Sequence, residues 1–203
     1  VTYYVTLDRG RRVLAIRDTQ RRREIRERAR ALEQQLARVN LFNEITRAIA
    51  ARHGLDDILS VVAQRLEDNF AHVASIWFSD GEVFARTIRG NGHRGMGVET
   101  DALREMVTSS EQPEFQALYE GSVVYLEDLV RFDMPFSTQV VERRNVQSSV
   151  FVPLVVEGEV FGVIAVARRE RDAFSRAERD FLTGLGEHVA LAIHQARLHR
   201  DLE

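Results

Sequence analysis

Two features of this chain combine residue types and spacings that could do chemistry. Gly90-Asn91-Gly92-His93-Arg94-Gly95 satisfies G-x-G-x-x-G, the pattern in which a glycine turn lets backbone N–H groups approach a dinucleotide pyrophosphate. That chemistry needs a helix opening at the last glycine, inside a parallel βαβ unit. Met96–Thr100 follows instead, and the strand before it reads as one arm of a hairpin, so a loop at a pocket mouth is expected. The second feature is the set of six histidines, which raises metal or haem ligation. His188, His194 and His199 lie about 120° and 140° apart around a helix, so they cannot ligate from one face. His72 or His93 as an axial haem ligand stays open beside the plainer reading of an exposed strand or loop histidine. No metal site is expected.

Composition excludes more. All 28 Lys+Arg residues are arginine, and there is no cysteine. Schiff-base and P-loop lysines, cysteine nucleophiles, thiolate metal sites and disulfides therefore drop out. The net charge of −3 hides a local asymmetry, because residues 8–30 hold ten arginines against Asp8, Asp18, Glu24 and Glu27. That run could be a nucleic-acid patch, yet it lacks interleaved aromatics, carries its own acids and keeps a helical apolar spacing. It reads as the solvated face of a linker helix, with no nucleic-acid partner. The longest apolar runs, such as Val150–Val156, fall far short of the ~20 residues of a membrane span. Val1–Arg17 has no signal-peptide pattern, so no membrane contact and a cytoplasmic location are expected. The chain opens on Val rather than Met, which reads as a piece of something longer.

At 203 residues and 44% apolar, the length suits one full domain plus a short extra segment. Val1–Leu7, the turn Asp8-Arg9-Gly10 and Arg12–Ile16 read as a β-hairpin. Beyond Asp18, Ile25, Ala29, Leu32, Leu36 and Val39 follow a 4-3-4-3 spacing, the narrow stripe of a coiled coil. The stripe falters at Asn40–Asn43, where Leu41, Phe42, Ile45 and Ile49 widen the apolar face and a globular core is expected to begin. A second helix over Leu55–Leu66 precedes strands at Val73–Phe78 and Glu82–Arg89, which flank the hairpin turn Asp80-Gly81. Short helices are expected at Asp101–Val107, Pro113–Tyr119 and Pro135–Arg144, with a strand at Val123–Leu126. Val146–Val156 and Glu159–Ala167 pair around Glu157-Gly158, with Pro153 at an edge or bulge. Ser175 and Glu178 form a capping box opening a long last helix, in which Gly184 and Gly186 suggest close packing. The fold class is α+β, an antiparallel sheet with helices on one face, plus a long N-terminal coiled-coil helix.

That order resembles a GAF domain over about Leu41–Glu203. The residues that carry the resemblance are Asp56-Asp57-Ile58-Leu59, Val123–Leu129 (VVYLEDL), Ser148–Leu154 (SSVFVPL), Gly158–Val166 (GEVFGVIAV), Phe174–Leu182 and Ala190–Leu198 (ALAIHQARL). Residues 1–17 are similar to the last hairpin of a PAS domain. Arg17-Asp18-Thr19 stands at that family's RD(I/V)T ending, with Thr19 and Gln20 replacing the usual Ile-Thr. Residues 18–40 then form the coiled-coil linker, and 41–203 the GAF domain with a C-terminal signalling helix. The resemblance implies a sensory module of a bacterial multi-domain signalling protein. A PAS domain would lie upstream, and an output domain (histidine kinase, diguanylate cyclase or phosphatase) would lie outside these residues. His199-Arg200-Asp201-Leu202-Glu203 lacks the His-Glu-Leu-Arg-Thr-Pro pattern of a phospho-accepting kinase helix. GAF domains that hold a linear tetrapyrrole covalently, or reduce methionine sulfoxide, use a cysteine that this chain lacks. The cyclic-nucleotide Phe-x-x-x-Asp-Glu set is also absent, since Phe174 is followed by Glu178 and Arg179.

By the same resemblance, the pocket lies over one sheet face. Its candidate wall is Trp77, Phe84, Tyr125, Asp128, Phe132, Phe136, Ser148 and Val150, each equally readable as plain core. Asp128 would either fix a ligand donor or cap the turn Leu129–Phe132. The expected partners are a second copy in a parallel homodimer and an unknown small molecule; the cofactor is unknown. The dimer seam would run through Ile25, Ala29, Leu32, Leu36 and Val39, then Val189, Ile193 and Ala196. No catalytic constellation is present. The alternatives are a haem-carrying sensor, a GAF-like enzyme, or a ligand-free dimerisation scaffold.

Overall fold

Arginine, alanine, leucine and glutamate dominate residues 11–50, and all are good helix formers. The segment is one helix, α1 (Arg11–Ala50), in the computed structural model, which describes residues 11–50, 55–78, 86–89, 113–131 and 145–200. The chain divides into two compact units, Val1–Asn40 and Leu41–Glu203. The expected returning strand Arg12–Ile16 is corrected here, because α1 already begins at Arg11. A two-stranded hairpin buries almost nothing of its own. Helix-forming residues continuous with a long helix gain a backbone hydrogen bond apiece by joining it. Val1–Leu7 and its turn lie outside the described residues. Along the first unit, Ile25, Leu32, Leu36 and Val39 are 51–58% exposed, an apolar stripe on the surface of α1.

In the second unit the end of α1 enters a core, with Leu41 and Ile45 buried. Helix α2 (Leu55–Asn69) adds Ile58, Leu59, Val62, Ala63 and Leu66 from one face. Strands β1 (Val73–Phe78), β2 (Arg86–Arg89), β3 (Val124–Leu126), β4 (Ser148–Val156) and β5 (Glu159–Arg168) form a five-stranded sheet in the order β2-β1-β5-β4-β3. Every pairing is antiparallel. Helices α1, α2 and α4 (Arg176–Arg200) cover one sheet face through Ala74, Ile76, Val150, Val152, Leu154, Ile164 and Val166. The short helix α3 (Pro113–Tyr119) covers the other, packing Phe115 and Leu118 near Val73, Val124, Leu126, Phe151, Val163 and Ala165. Cover on both faces explains why SSVFVPL and GVIAVA are continuous apolar runs rather than alternating ones.

Two sequence details set local geometry. Glu157 and Gly158 both have positive φ (53° and 86°), while Val156 pairs with Glu159. This is the two-residue turn whose twist matches the strands it joins. Glutamate in that conformation is strained, and asparagine tolerates it. Glu157→Asn is therefore expected to raise stability by about 0.5 kcal/mol, read by thermal denaturation. Pro153 pairs with Val163 on one side, while β3 meets β4 only as far as Phe151. The missing N–H thus sits where β4 has become an edge.

The first hairpin departs from expectation. A two-residue turn at Asp80-Gly81 would pair Phe78 with Val83, whereas the observed partner of Phe78 is Arg86. The turn itself and Glu82–Ala85 of the expected second strand lie outside the described residues. The Gly90–Gly95 segment and the expected helices at Asp101–Val107 and Pro135–Arg144 lie outside the described residues.

Candidate functional site

Polar groups converge where β5 hands over to α4. Arg168 ends an apolar strand, and its guanidinium turns back under the end of α2. Nε and Nη2 donate to the Phe70 carbonyl (3.1 and 2.7 Å), Nη1 to the Ala173 carbonyl (2.7 Å), and Nη2 to Glu178 Oε1 (2.9 Å). The Phe70 and Phe174 rings flank it, with centroids 5.0 and 4.4 Å from Cζ. Glu178 is also the reciprocal partner of Ser175. Its Oε2 accepts from the Ser175 N–H (2.8 Å) and hydroxyl (2.7 Å), while its own N–H donates to Ser175 Oγ (3.3 Å). The capping box and an ion pair thus share one carboxylate.

Burial alone would raise the Glu178 pKa, but the Ser175 hydroxyl and N–H and the Arg168 guanidinium outweigh it and hold the carboxyl below its usual 4.5. Folding then favours the ionised form. The resulting stabilisation is full above pH 4.5 and is lost as pH falls through the lowered folded value. Wild type is expected to lose melting temperature more steeply below pH 4.5 than Glu178→Gln, which has no such proton to take up.

Beside this junction an open polar depression of about 440 Å³ is lined by Glu67, Asp68, Asn69, His72, Arg168, Arg169 and Glu170, among others. His72 is exposed there. No group of three or more His, Cys, Asp or Glu side chains among the described residues is arranged to hold a metal ion.

Of the eight candidate wall residues, Tyr125, Asp128, Ser148 and Val150 have described side chains. Val150 is fully buried in the helix-covered core. Tyr125 packs on the same side, its hydroxyl donating to Asp172 Oδ1 (2.8 Å) and its ring 4.6 Å from the Arg179 Cζ. Burial first, then the Asp172 carboxylate, push its phenol above the usual 10. Ser148 is fully buried and donates to the Glu170 carbonyl (2.8 Å). Asp128 is buried and caps the turn Leu129–Arg131. Its Oδ1 accepts from the Val130 N–H (3.2 Å), while Oδ2 lies 3.3 Å from both Arg131 Nε and Arg171 Nη1. Trp77 lies on β1, with its backbone opposite Thr87 and Val163. The side chain of Trp77, together with Phe84, Phe132 and Phe136, lies outside the described residues.

The dimer-seam expectation splits. Ile25, Leu32, Leu36 and Val39 are exposed, as is Ala29. Val189 and Ile193 are corrected: both are fully buried, because the stripe Leu182, Leu185, Val189, Ile193 is the face α4 lays on the sheet. One amphipathic stripe cannot serve both the domain core and a partner. The outward apolar residues of α4 are Leu191 and Leu198, 54% and 51% exposed. The side chain of Ala196 lies outside the described residues. α4 also touches the end of α1. Phe42 stacks at 5.0 Å on His188, and Thr46 Oγ1 lies 3.2 Å from His188 Nε2. Since Thr46 Oγ1 gives its proton to the Phe42 carbonyl (2.9 Å), the histidine is the donor.

A sequence profile described as "GAF domain" matches residues 52–194. The chain is 22% identical, over 186 residues (85% of it), to the circadian input-output histidine kinase CikA of Thermosynechococcus vestitus. It is 28% identical over 101 residues (48% of it) to that of Synechococcus elongatus. These matches span 25% and 13% of the two kinases, so the chain corresponds to a quarter or less of their length. Among solved structures, the GAF domain of a phosphoenolpyruvate-protein phosphotransferase from Coxiella burnetii superposes with a TM-score of 0.60 at 17% identity, over 82% of this chain and 98% of that one. The phycoerythrobilin-bound GAF domain of a cyanobacterial phytochrome gives 0.59 at 15%, over 82% and 99%. Those likenesses bear on the fold alone. With the profile covering most of the chain and the five-stranded sheet between helices in place, this chain belongs to the GAF domain family.

Proposed function

We propose that this chain is a sensory GAF module that dimerises through its linker helix and passes the state of its domain to an output domain outside these residues. The observation that carries the reading is the exposed stripe on α1. Four large apolar side chains at coiled-coil spacing stand in solvent on a helix that continues into the domain core. A monomer leaves that area wet, and a second copy in parallel covers it. The contact of Phe42 and Thr46 with His188 ties the end of the same helix to α4, which would lead onward. Similarity to two histidine kinases supports a kinase as the output, as part of a larger chain.

The ligand, on this reading, is held reversibly. The bilin-bound neighbour makes a tetrapyrrole one class to test, and with no cysteine the chain could hold it only without a thioether bond. The module itself is proposed to be non-enzymatic. Native mass spectrometry of the purified 203-residue chain tests both halves at once. The expected result is a dimer at twice 23.2 kDa, with a mass increment removed by denaturation if a ligand is retained. A monomer at all concentrations would sink the reading, whereas a dimer without increment leaves the scaffold reading, in which helices signal and nothing is bound.

A further inference from the structure

The charges beside the α1 stripe carry an inference that rests on the dimer reading and sharpens it. Ile25, Leu32 and Val39 take the d positions of a heptad, and Ala29 and Leu36 the a positions. The e positions that follow are Arg26, Glu33 and Asn40, and the g positions are Arg21, Arg28 and Gln35. All six are exposed. In a parallel, in-register pair each g residue meets the e residue five places on in its mate. Arg28 then faces Glu33 of the partner subunit, an attractive contact made twice by symmetry. Arg21 faces Arg26 of the partner subunit, a repulsive contact also made twice, and Gln35 faces Asn40 of the partner subunit without charge. An antiparallel pair sets e against e and g against g, so Arg28 and Glu33 would not meet.

We propose that α1 binds the α1 of a second copy in parallel and in register, clamped over Arg28–Val39 by the Arg28–Glu33 contacts and sprung apart around Arg21–Arg26. The coil is thus a two-part element. Its domain-proximal turns hold the dimer, and its distal turns open and close under the charge balance around Ile25.

The test uses the full chain and its lack of cysteine, which makes any introduced thiol unambiguous. Sedimentation at low salt should show Glu33→Arg weakening dimerisation roughly tenfold, and Arg28→Glu with Glu33→Arg together restoring it to within about threefold. Arg26→Glu should strengthen it by a similar factor of roughly ten. Under mild oxidation Leu36→Cys should cross-link faster than Ile25→Cys. Raising the salt concentration or adding Arg26→Glu should close that gap by removing the repulsion at the distal end. A wild-type chain that stays monomeric overturns the dimer reading beneath the proposal. A wild-type dimer in which the double substitution fails to rescue Glu33→Arg overturns the parallel register, and equal cross-linking rates at low salt overturn the sprung end.

Discussion

Arg168→Met is expected to cost the 41–203 unit about 3 kcal/mol, seen as a lower urea midpoint with an unchanged slope. The guanidinium makes four hydrogen bonds to three acceptors, and its side chain is 21% exposed. Methionine keeps an apolar body between Phe70 and Phe174 and so isolates the polar loss. Two carbonyls are left short of a donor, and the Glu178 carboxylate loses its cation. Hydrogen bonds to charged groups contribute about 1.5–3 kcal/mol each, less than additively within one network. Arg168→Lys should recover under half of the loss, since an ammonium cannot span the Phe70 and Ala173 carbonyls and Glu178 at once. A loss below about 1 kcal/mol for the methionine variant would show that water replaces the guanidinium at little cost.

Gly186→Val is expected to lower stability by a comparable ~3 kcal/mol, while Gly184→Ala, two residues away, should raise it by up to about 1 kcal/mol. Both glycines sit in α4, where alanine is intrinsically better. The difference is what a side chain would meet. A Cβ at Gly186 would come within 2.5 Å of Val152 Cγ1, a buried β-branched group on β4. Valine there is stiff at χ1 and cannot swing clear. At Gly184 nothing lies within 4 Å. Opposite signs in paired thermal melts would identify Gly186 as the point where α4 rides closest to the sheet.

These residues also show what could be read from the chain alone. The capping box at Ser175, the tight turn at Glu157-Gly158 and the apolar strands announced themselves, because each is a local pattern whose geometry follows from residues a few places apart. The role of Val189 and Ile193 did not. A helix stripe is the same pattern whether it faces a sheet or a mate, and only the sheet's need for cover on that side decides between them. Arg168 was missed for a related reason. An arginine at the end of an apolar strand looks like solvent exposure, and its acceptors lie as far away in sequence as Phe70. Arg12–Ile16 is helical rather than a strand because the apolar run Val13-Leu14-Ala15-Ile16, followed by arginine, suits a helix equally well once a long helix is there to extend. Tyr125, Ser148 and Val150 were grouped with the pocket by resemblance. Strand register places Tyr125 opposite Val150, and both pack in the helix-covered core.

The claim at the centre is that the stripe on α1 holds two copies of this GAF module together. Light scattering of the wild-type chain beside Leu36→Arg, with a thermal melt of each, tests it most directly. Two guanidinium groups driven into one a layer should weaken association by at least roughly a hundredfold while leaving the 41–203 core folded. The expected result is a wild-type mass of twice 23.2 kDa, falling to the single-chain value for Leu36→Arg with an unshifted core transition. A monomeric wild type, or a dimer that Leu36→Arg leaves intact, would contradict it.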